Sequence, residues 1–187
     1  MIVHTLPNRR RFTIPVLAPA DRLASGLAHG LDDRFHYLRG VAAGGEPIDA
    51  VVVGPGGTWS ISLTDVRGRF RRRSGHWYRW LASTESWVPW DAQPLIDARL
   101  AARRLGLVLE RAGLPSIVAA GLLAWRGAGF DWGEEGRPGV VIQPEPERLA
   151  ARIARDDVLG VAQVRRIVAF LDPRQPVGPL VQATPRD

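Results

Sequence analysis

The chain has 187 residues, of which 45% are hydrophobic and 24% charged, as expected for one compact globular domain. It contains no cysteine, and all 25 basic residues are arginine, so it contains no lysine either. These absences exclude disulfides, thiolate metal sites, cysteine nucleophiles, Schiff-base lysines and the lysine of a phosphate-binding loop.

The net charge of +6 comes from one stretch of the sequence. Residues 67–80, "RGRFRRRSGHWYRW", hold six arginines and no acid, and the remaining 19 arginines balance 19 aspartates and glutamates. Positive charge concentrated in this way indicates a polyanionic partner, such as nucleic acid or an acidic protein surface.

A membrane partner is not expected. The longest apolar stretch, residues 117–125, has about half of the roughly 20 residues that a spanning helix needs. Residues 8–21 show a faint similarity to a twin-arginine signal, but Pro15 and Pro19 interrupt its short apolar part. We therefore expect a cytoplasmic protein.

In chain order, the first predicted element is a helix capped by Asp21 and running to about Leu38, because large apolar residues recur there every three or four positions. Gly44 and Gly45 break the chain after it. Residues 48–53 are a short β-branched apolar run, which is typical of a strand buried on both faces.

Two hairpins are predicted next. A Gly-Pro-Gly-Gly turn follows the buried strand, and residues 59–64 then alternate apolar with hydroxyl-bearing side chains, as in a strand with two unlike faces. Residues 67–73 and 76–81 form the second hairpin, closed at Ser74-Gly75. We expect Trp87 and Trp90, which follow it, to cap the core.

The second half of the chain is predicted to contain both helices and strands. Asp91 as a cap and Pro94 open a helix that ends near residues 113–115. The elements that follow are a strand (117–125), a glycine-rich loop (126–139), a strand (140–142) and helices near 147–154 and 161–171. Together these elements predict one α/β domain over 20–171 with a mixed central sheet, an N-terminal extension (1–19) and a loose proline-rich tail (172–187).

The first hairpin resembles a known family. "IDAVVVGPGGTWSISLTDVRG", residues 48–68, is similar to the hairpin of the nuclease-related domain, NERD, in the PD-(D/E)XK nuclease-like superfamily. The family hairpin reads Ile-Asp-His, three apolar residues, Gly-Pro-x-Gly, four apolar residues, then Glu-x-Lys and a closing glycine. Asp49, the Gly54–Gly57 turn and Gly68 match it without a gap. The resemblance implies a restriction-endonuclease-like α/β fold, a mixed central sheet flanked by helices.

The same register puts Ser62 on the family's catalytic glutamate and Thr64 on its catalytic lysine, and no helix acid matches the family's Gly-x-x-x-Glu pattern. Phosphodiester hydrolysis with Mg²⁺ needs at least two hard oxygen ligands and a group that activates water, and neutral hydroxyls supply neither. Asp49 is then either a remnant metal ligand or a strand-end carboxylate bonded to backbone or arginine. The hairpin predicts no confident catalytic residue and no cofactor.

The arginine-rich stretch is the candidate binding site. Arginine binds phosphates and stacks on bases, and tryptophan or tyrosine offers a platform for unpaired bases. Strand alternation would bury Phe70 and Trp77 and put Arg69, Arg71 and Arg73 on the opposite face. A solvated edge strand whose charges prevent aggregation is the other interpretation. The residues predicted to bind nucleic acid are Arg67, Arg69, Arg71, Arg72, Arg73, Trp77, Tyr78 and Arg79.

The favoured hypothesis is a catalytically degenerate NERD-like domain that binds nucleic acid, with DNA ranked above RNA as the ligand. The first alternative is an active nuclease with a rearranged site of Asp49, Asp65 and Glu46, which would need Mg²⁺ or Mn²⁺. The second is a protein-interaction scaffold whose arginines meet an acidic protein partner.

Overall fold

The computed structural model of the protein describes residues 1–4, 19–124, 128–131, 139–143 and 145–172. Four helices lie within them: α1 (Pro19–Ala28), α2 (Gln93–Arg111), α3 (Pro146–Ile153) and α4 (Val161–Leu171). The ten strands are β1 (Ile2–His4), β2 (His36–Val41), β3 (Ile48–Gly54), β4 (Gly57–Thr64), β5 (Gly68–Arg73), β6 (His76–Leu81), β7 (Ser86–Pro89), β8 (Val118–Ala124), β9 (Ala128–Asp131) and β10 (Val140–Gln143).

A mixed sheet of six strands forms the centre, in the order β1-β2-β3-β4-β8-β10. Strands β2, β3 and β4 form an antiparallel meander, whereas β1 is parallel to β2, and β8 and β10 extend the sheet parallel to β4. The prediction of an α/β protein with a mixed central sheet and helices around it is confirmed at this level.

The helices cover both faces of the central sheet. On one face, α2 and α4 pack through Leu105 and Ile167 against the inward-facing Val51 and Val53 of β3. On the other face, the core that contains Val52 includes residues of α1 and α3. Strand β3 is therefore buried on both sides, as its continuous apolar run predicts.

The turn between β3 and β4 packs tightly against the rest of the fold. A Cβ on Gly54 would overlap the ring of Phe35, and a Cβ on Gly56 would overlap the carbonyl oxygen of Ile153. The carbonyl oxygen of Pro55 also accepts the backbone N–H groups of Val158 (2.7 Å) and Leu159 (3.0 Å). Packing therefore requires glycine at positions 54 and 56, independently of any catalytic role of the hairpin.

A second, smaller sheet has the order β7-β6-β5-β9. It packs through Phe70, which is fully buried, against a cluster that includes Leu95 and Ala98 of α2 and Leu122 of β8. This contact leaves the opposite face of the small sheet turned away from the core.

The predicted helix over residues 21–38 is wrong in its second half. Helix α1 ends at Ala28, and residues 36–41 form strand β2. The Asp32 carboxylate accepts the backbone N–H of Arg34 at 3.0 Å, which stabilises a turn between them. Leu31, Phe35 and Leu38 are nevertheless buried, so the helix-like spacing arises from buried positions in a loop and a strand.

The predicted loop over residues 126–139 also needs correction, because residues 128–131 form strand β9. The predicted strands and helices on either side of it are confirmed, with bounds shifted by one or two residues. The predicted N-terminal extension contributes β1 to the edge of the central sheet, while residues 5–18 and 173–187 lie outside the described residues. No helix in the described ranges is long and apolar enough to cross a membrane.

Candidate nucleic-acid interface

The arginine-rich stretch folds as the predicted hairpin of β5 and β6. Ser74 and Gly75 form its two-residue turn with φ angles of 49° and 77°. A two-residue turn with both central φ angles positive matches the right-handed twist of the strands it joins and fixes their register. Arg73 pairs with His76, Arg71 with Tyr78, and Phe70 with Arg79.

This register sorts the side chains onto two faces, because directly opposed residues point to the same side of a sheet. One face contains the buried Phe70 and packs on the core. The other, which we call the outer face, carries the remaining alternate positions of three strands. Its residues are Arg69, Arg71 and Arg73 of β5, His76, Tyr78 and Trp80 of β6, and Trp87 and Pro89 of β7.

Arginines and tryptophans on the outer face lie in contact with one another. The guanidinium carbon of Arg71 lies 4.2 Å from the centre of the Trp87 ring. That of Arg69 lies 5.8 Å from the ring centres of both Trp80 and Trp87. The two rings are themselves 5.4 Å apart and inclined at 62°. We call these four residues, Arg69, Arg71, Trp80 and Trp87, the cation–π layer.

The cation–π contacts of Arg69 and Arg71 do not occupy the hydrogen-bond donors of these side chains. Attraction of a guanidinium to a ring face does not consume its N–H donors, of which each arginine has five. Among the side chains that the structure describes, Arg69, Arg71 and Arg73 make no ion pair with an acid. The Nε atom of Arg71 is buried and has no hydrogen-bond partner among the described residues. Among the described side chains, the outer face thus presents oriented cations that no acid is paired with.

The predicted binding residues are divided between the two faces. Arg69, Arg71, Arg73 and Tyr78 share the outer face, as strand alternation predicts for the three arginines. Arg72 and Arg79 lie on the Phe70 side, and Arg67 precedes β5 in an exposed connection.

Trp77 lies on the Phe70 side of the hairpin and packs toward the core. Its ring stands edge-on to Trp90 with centroids 6.1 Å apart, and both rings pack against the cluster around Phe70. The predicted inward orientations of Phe70 and Trp77 are therefore confirmed.

Sequence reasoning misses Trp80 and misassigns Trp87. Trp90 packs on Phe70 at a centroid distance of 4.3 Å, as a core-capping residue would. Trp87 does not cap the core as predicted, because it lies against Arg71 and Trp80 on the outer face. The sequence signal for both tryptophans is the alternation of Tyr78 and Trp80 in β6. It places Trp80 on the outer face, but Trp87 can be placed there only when the register between β6 and β7 is known.

The positions that correspond to the nuclease motif lie in the β3–β4 hairpin. One carboxylate oxygen of Asp49 accepts the backbone N–H of Leu63 at 2.8 Å. The Thr64 hydroxyl accepts the N–H of Val66 at 3.3 Å, and Ser62 is half-buried beside Leu122 of β8. The sequence left Asp49 as either a remnant metal ligand or a strand-end carboxylate bonded to backbone or arginine. Its hydrogen bond to Leu63 agrees with the second interpretation.

The other acids of the rearranged-nuclease alternative, Glu46 and Asp65, are both exposed. Within the described part of the chain, no group of three or more histidine, aspartate or glutamate side chains lies close enough together to hold a metal ion.

A separate open cleft of about 960 Å³ lies at the starts of β4, β8 and β10. Thr58, whose buried hydroxyl has no hydrogen-bond partner among the described residues, and Arg103 of α2 lie along it. Arg152, another of its lining residues, is paired with Asp156 at 3.0 Å. This cleft shares no residue with the outer face.

Comparison of the chain with protein-family models finds no match, and comparisons with curated proteins and with solved structures find none either. The resemblance to the nuclease-related domain therefore rests on the hairpin motif in the sequence.

Proposed function

We propose that this protein is a catalytically degenerate, nuclease-related module that binds nucleic acid through the outer face of its small sheet. The observation that carries the proposal is the cation–π layer, in which Arg69 and Arg71 lie over Trp80 and Trp87 on a face turned away from the core. Arginines supported in this way keep their charge, their planar donor groups and their orientation, which is what phosphate and base recognition requires.

The nuclease-related part of the proposal is supported by the hairpin of β3 and β4 within a mixed central sheet. Ser62 and Thr64 replace the acid and the lysine that hydrolysis would use, and the Asp49 carboxylate is bonded to backbone. We therefore assign the chain a binding role without hydrolysis. DNA is proposed before RNA on the resemblance alone.

The charge distribution supports a polyanionic ligand over a neutral one. The six arginines of residues 67–80 account for the whole net charge. Arg67, Arg72 and Arg79 lie beside or behind the outer face and raise its positive potential without sharing its orientation. A cluster of like charges accelerates association with a polyanion and makes affinity depend on salt.

The test is a binding titration with labelled single-stranded and duplex DNA over a range of salt concentrations, in EDTA. We expect the double variant Arg69→Ala/Arg71→Ala to lose at least about tenfold in affinity. Its salt dependence should also become shallower, by about 0.7–0.9 in slope for each phosphate that the protein no longer neutralises. The control is Arg165→Ala/Arg166→Ala, which removes the same charge from two exposed residues of α4.

Three outcomes would overturn parts of the proposal. If the two double variants lose nucleic-acid affinity equally, the outer face is not the binding site. Cleavage that appears with Mn²⁺ and disappears in Asp49→Ala would favour the active-nuclease alternative. Absence of binding to any nucleic acid, together with a complex with an acidic protein on size exclusion, would favour the interaction scaffold.

A further inference from the structure

The aromatic content of the outer face exceeds what phosphate binding needs. Three aromatic residues, Tyr78, Trp80 and Trp87, lie on it, and all three are half-buried. Trp80 and Trp87 lie directly opposite each other on β6 and β7, and Tyr78 lies on the same face of β6 one alternate position away. A contiguous aromatic patch that stays partly exposed on a protein surface is typical of a binding site.

These residues form a broad platform and not a ridge. The small sheet has four strands, and neighbouring strands lie about 4.8 Å apart, so β5, β6 and β7 together span about 10 Å. The major groove of duplex DNA admits a helix or a two-stranded ribbon. A face three strands wide is broader than such a ribbon and does not enter the groove. The bases of a duplex are also stacked on one another, so this platform would contact a duplex through its phosphates.

Unpaired bases, in contrast, present flat faces that match the platform. Such bases stack on aromatic side chains and on the planes of arginine guanidinium groups. The guanidinium of Arg71 lies over the Trp87 ring at 4.2 Å, so the ring already supports one side of it. A base stacking on the outer side of that guanidinium would complete a three-layer sandwich, and Trp80 lies beside it.

We infer, building on the proposed function, that the ligand is a single-stranded nucleic acid that crosses β5, β6 and β7. Bases stack over Arg71, Trp80, Trp87 and Tyr78, while Arg69 and Arg73 contact the phosphates. Stacking is tolerant of sequence because every base has an aromatic face, so the site binds single strands with little sequence preference.

The experiment compares three labelled probes: an oligothymidylate of about twelve residues, the same backbone with abasic residues, and a duplex of equal length. The wild-type protein should bind the oligothymidylate at least about tenfold more tightly than either of the others. The variants Trp80→Leu and Trp87→Leu keep apolar bulk but lose the aromatic plane. Each should weaken oligothymidylate binding at least about fivefold and leave duplex binding within about twofold.

Folding of each variant is checked by thermal unfolding, and Tyr78→Leu replaces any variant that does not fold. If all three probes bind equally and the leucine variants change nothing, the single-strand inference fails while the proposed function stands. If the oligothymidylate is preferred but the leucine variants bind it normally, the assignment to this face fails. If no probe binds, both proposals fail together.

Discussion

The β3–β4 hairpin and the β5–β6 hairpin follow one another in the chain but differ in how deeply they are buried. The first is buried, and its turn glycines pack against Phe35 and Ile153. The second has an exposed face, and a Cβ added to its turn glycine, Gly75, would meet no atom within 4 Å. The difference teaches that the turn of the nuclease-like motif is constrained by packing, while the less regular stretch carries the proposed binding chemistry.

The largest effect on stability is expected for Gly56→Ala, in the turn of the buried hairpin. The added Cβ would overlap the Ile153 carbonyl oxygen, a backbone atom that cannot rotate away. We expect the free energy of unfolding to fall by about 3 kcal/mol in urea titrations. Gly160→Ala is the control, because its Cβ would meet only the Gln163 side chain at 3.8 Å. Lower nucleic-acid affinity in folded Gly56→Ala protein would contradict the division of roles.

The two tryptophans that follow the second hairpin give a matched comparison. Trp90 packs on the buried Phe70, so Trp90→Ala should lower the free energy of unfolding by about 2 kcal/mol. Trp87 contacts the arginines of the outer face, so Trp87→Ala should lower it by less than about 1 kcal/mol. Chemical denaturation of both variants checks this. A larger effect of Trp87→Ala would mean that Trp87 belongs to the core.

Asp49 tests whether the first hairpin retains any metal chemistry. Asp49→Ala removes the acceptor for the Leu63 N–H and should cost about 1 kcal/mol of stability. Affinity for nucleic acid should not change. Thermal unfolding with and without Mn²⁺ is the measurement. A rise in the wild-type unfolding temperature with Mn²⁺ that is absent in Asp49→Ala would show a metal site and restore the nuclease alternative.

The smallest effect concerns the turn between α1 and β2. Hydrogen bonds from the Arg34 side chain hold the pKa of Asp32 below its ordinary value. A carboxylate with a lowered folded-state pKa stabilises the protein above its unfolded pKa, and this contribution disappears as the pH falls through the folded value. Asp32→Asn should therefore lower the urea midpoint slightly at pH 7, and this difference should shrink as the pH falls below the ordinary pKa of an aspartate. Both groups are largely exposed, so added salt should reduce the difference.

Local signals make the two hairpins and most helices predictable from the sequence. The Gly-Pro-Gly-Gly turn, the Ser-Gly turn and the alternation in β4 and β5 are each contained within a few residues, and each predicts the correct element. The predicted helix at α1 is too long because Leu31 and Phe35 are buried in a connection at the same spacing that a helix face would show. Short-range periodicity cannot distinguish these cases.

The candidate site is only half predictable. The sequence locates the arginines and their shared face, but the tryptophan partners depend on the pairing of Trp80 with Trp87 across the connection between β6 and β7, residues 82–85. Strand β9 cannot be predicted locally because it pairs in parallel with β5, and its Ala128 lies opposite the distant Gly68. A pairing between strands as far apart in the chain as β5 and β9 leaves no local sequence pattern, because it is set by the packing of the whole chain.

The pairing of β5 with β9 also bears on the order in which the protein folds. The meander of β5, β6 and β7 can form from adjacent segments, but β9 follows β8 in the chain, and β8 must first cross over α2 to lie parallel to β4. Closing so long a loop is slow compared with forming a local hairpin. We therefore expect the small sheet to be completed after the central sheet. A nascent chain would expose its arginine-rich hairpin before it acquires the last strand beside it.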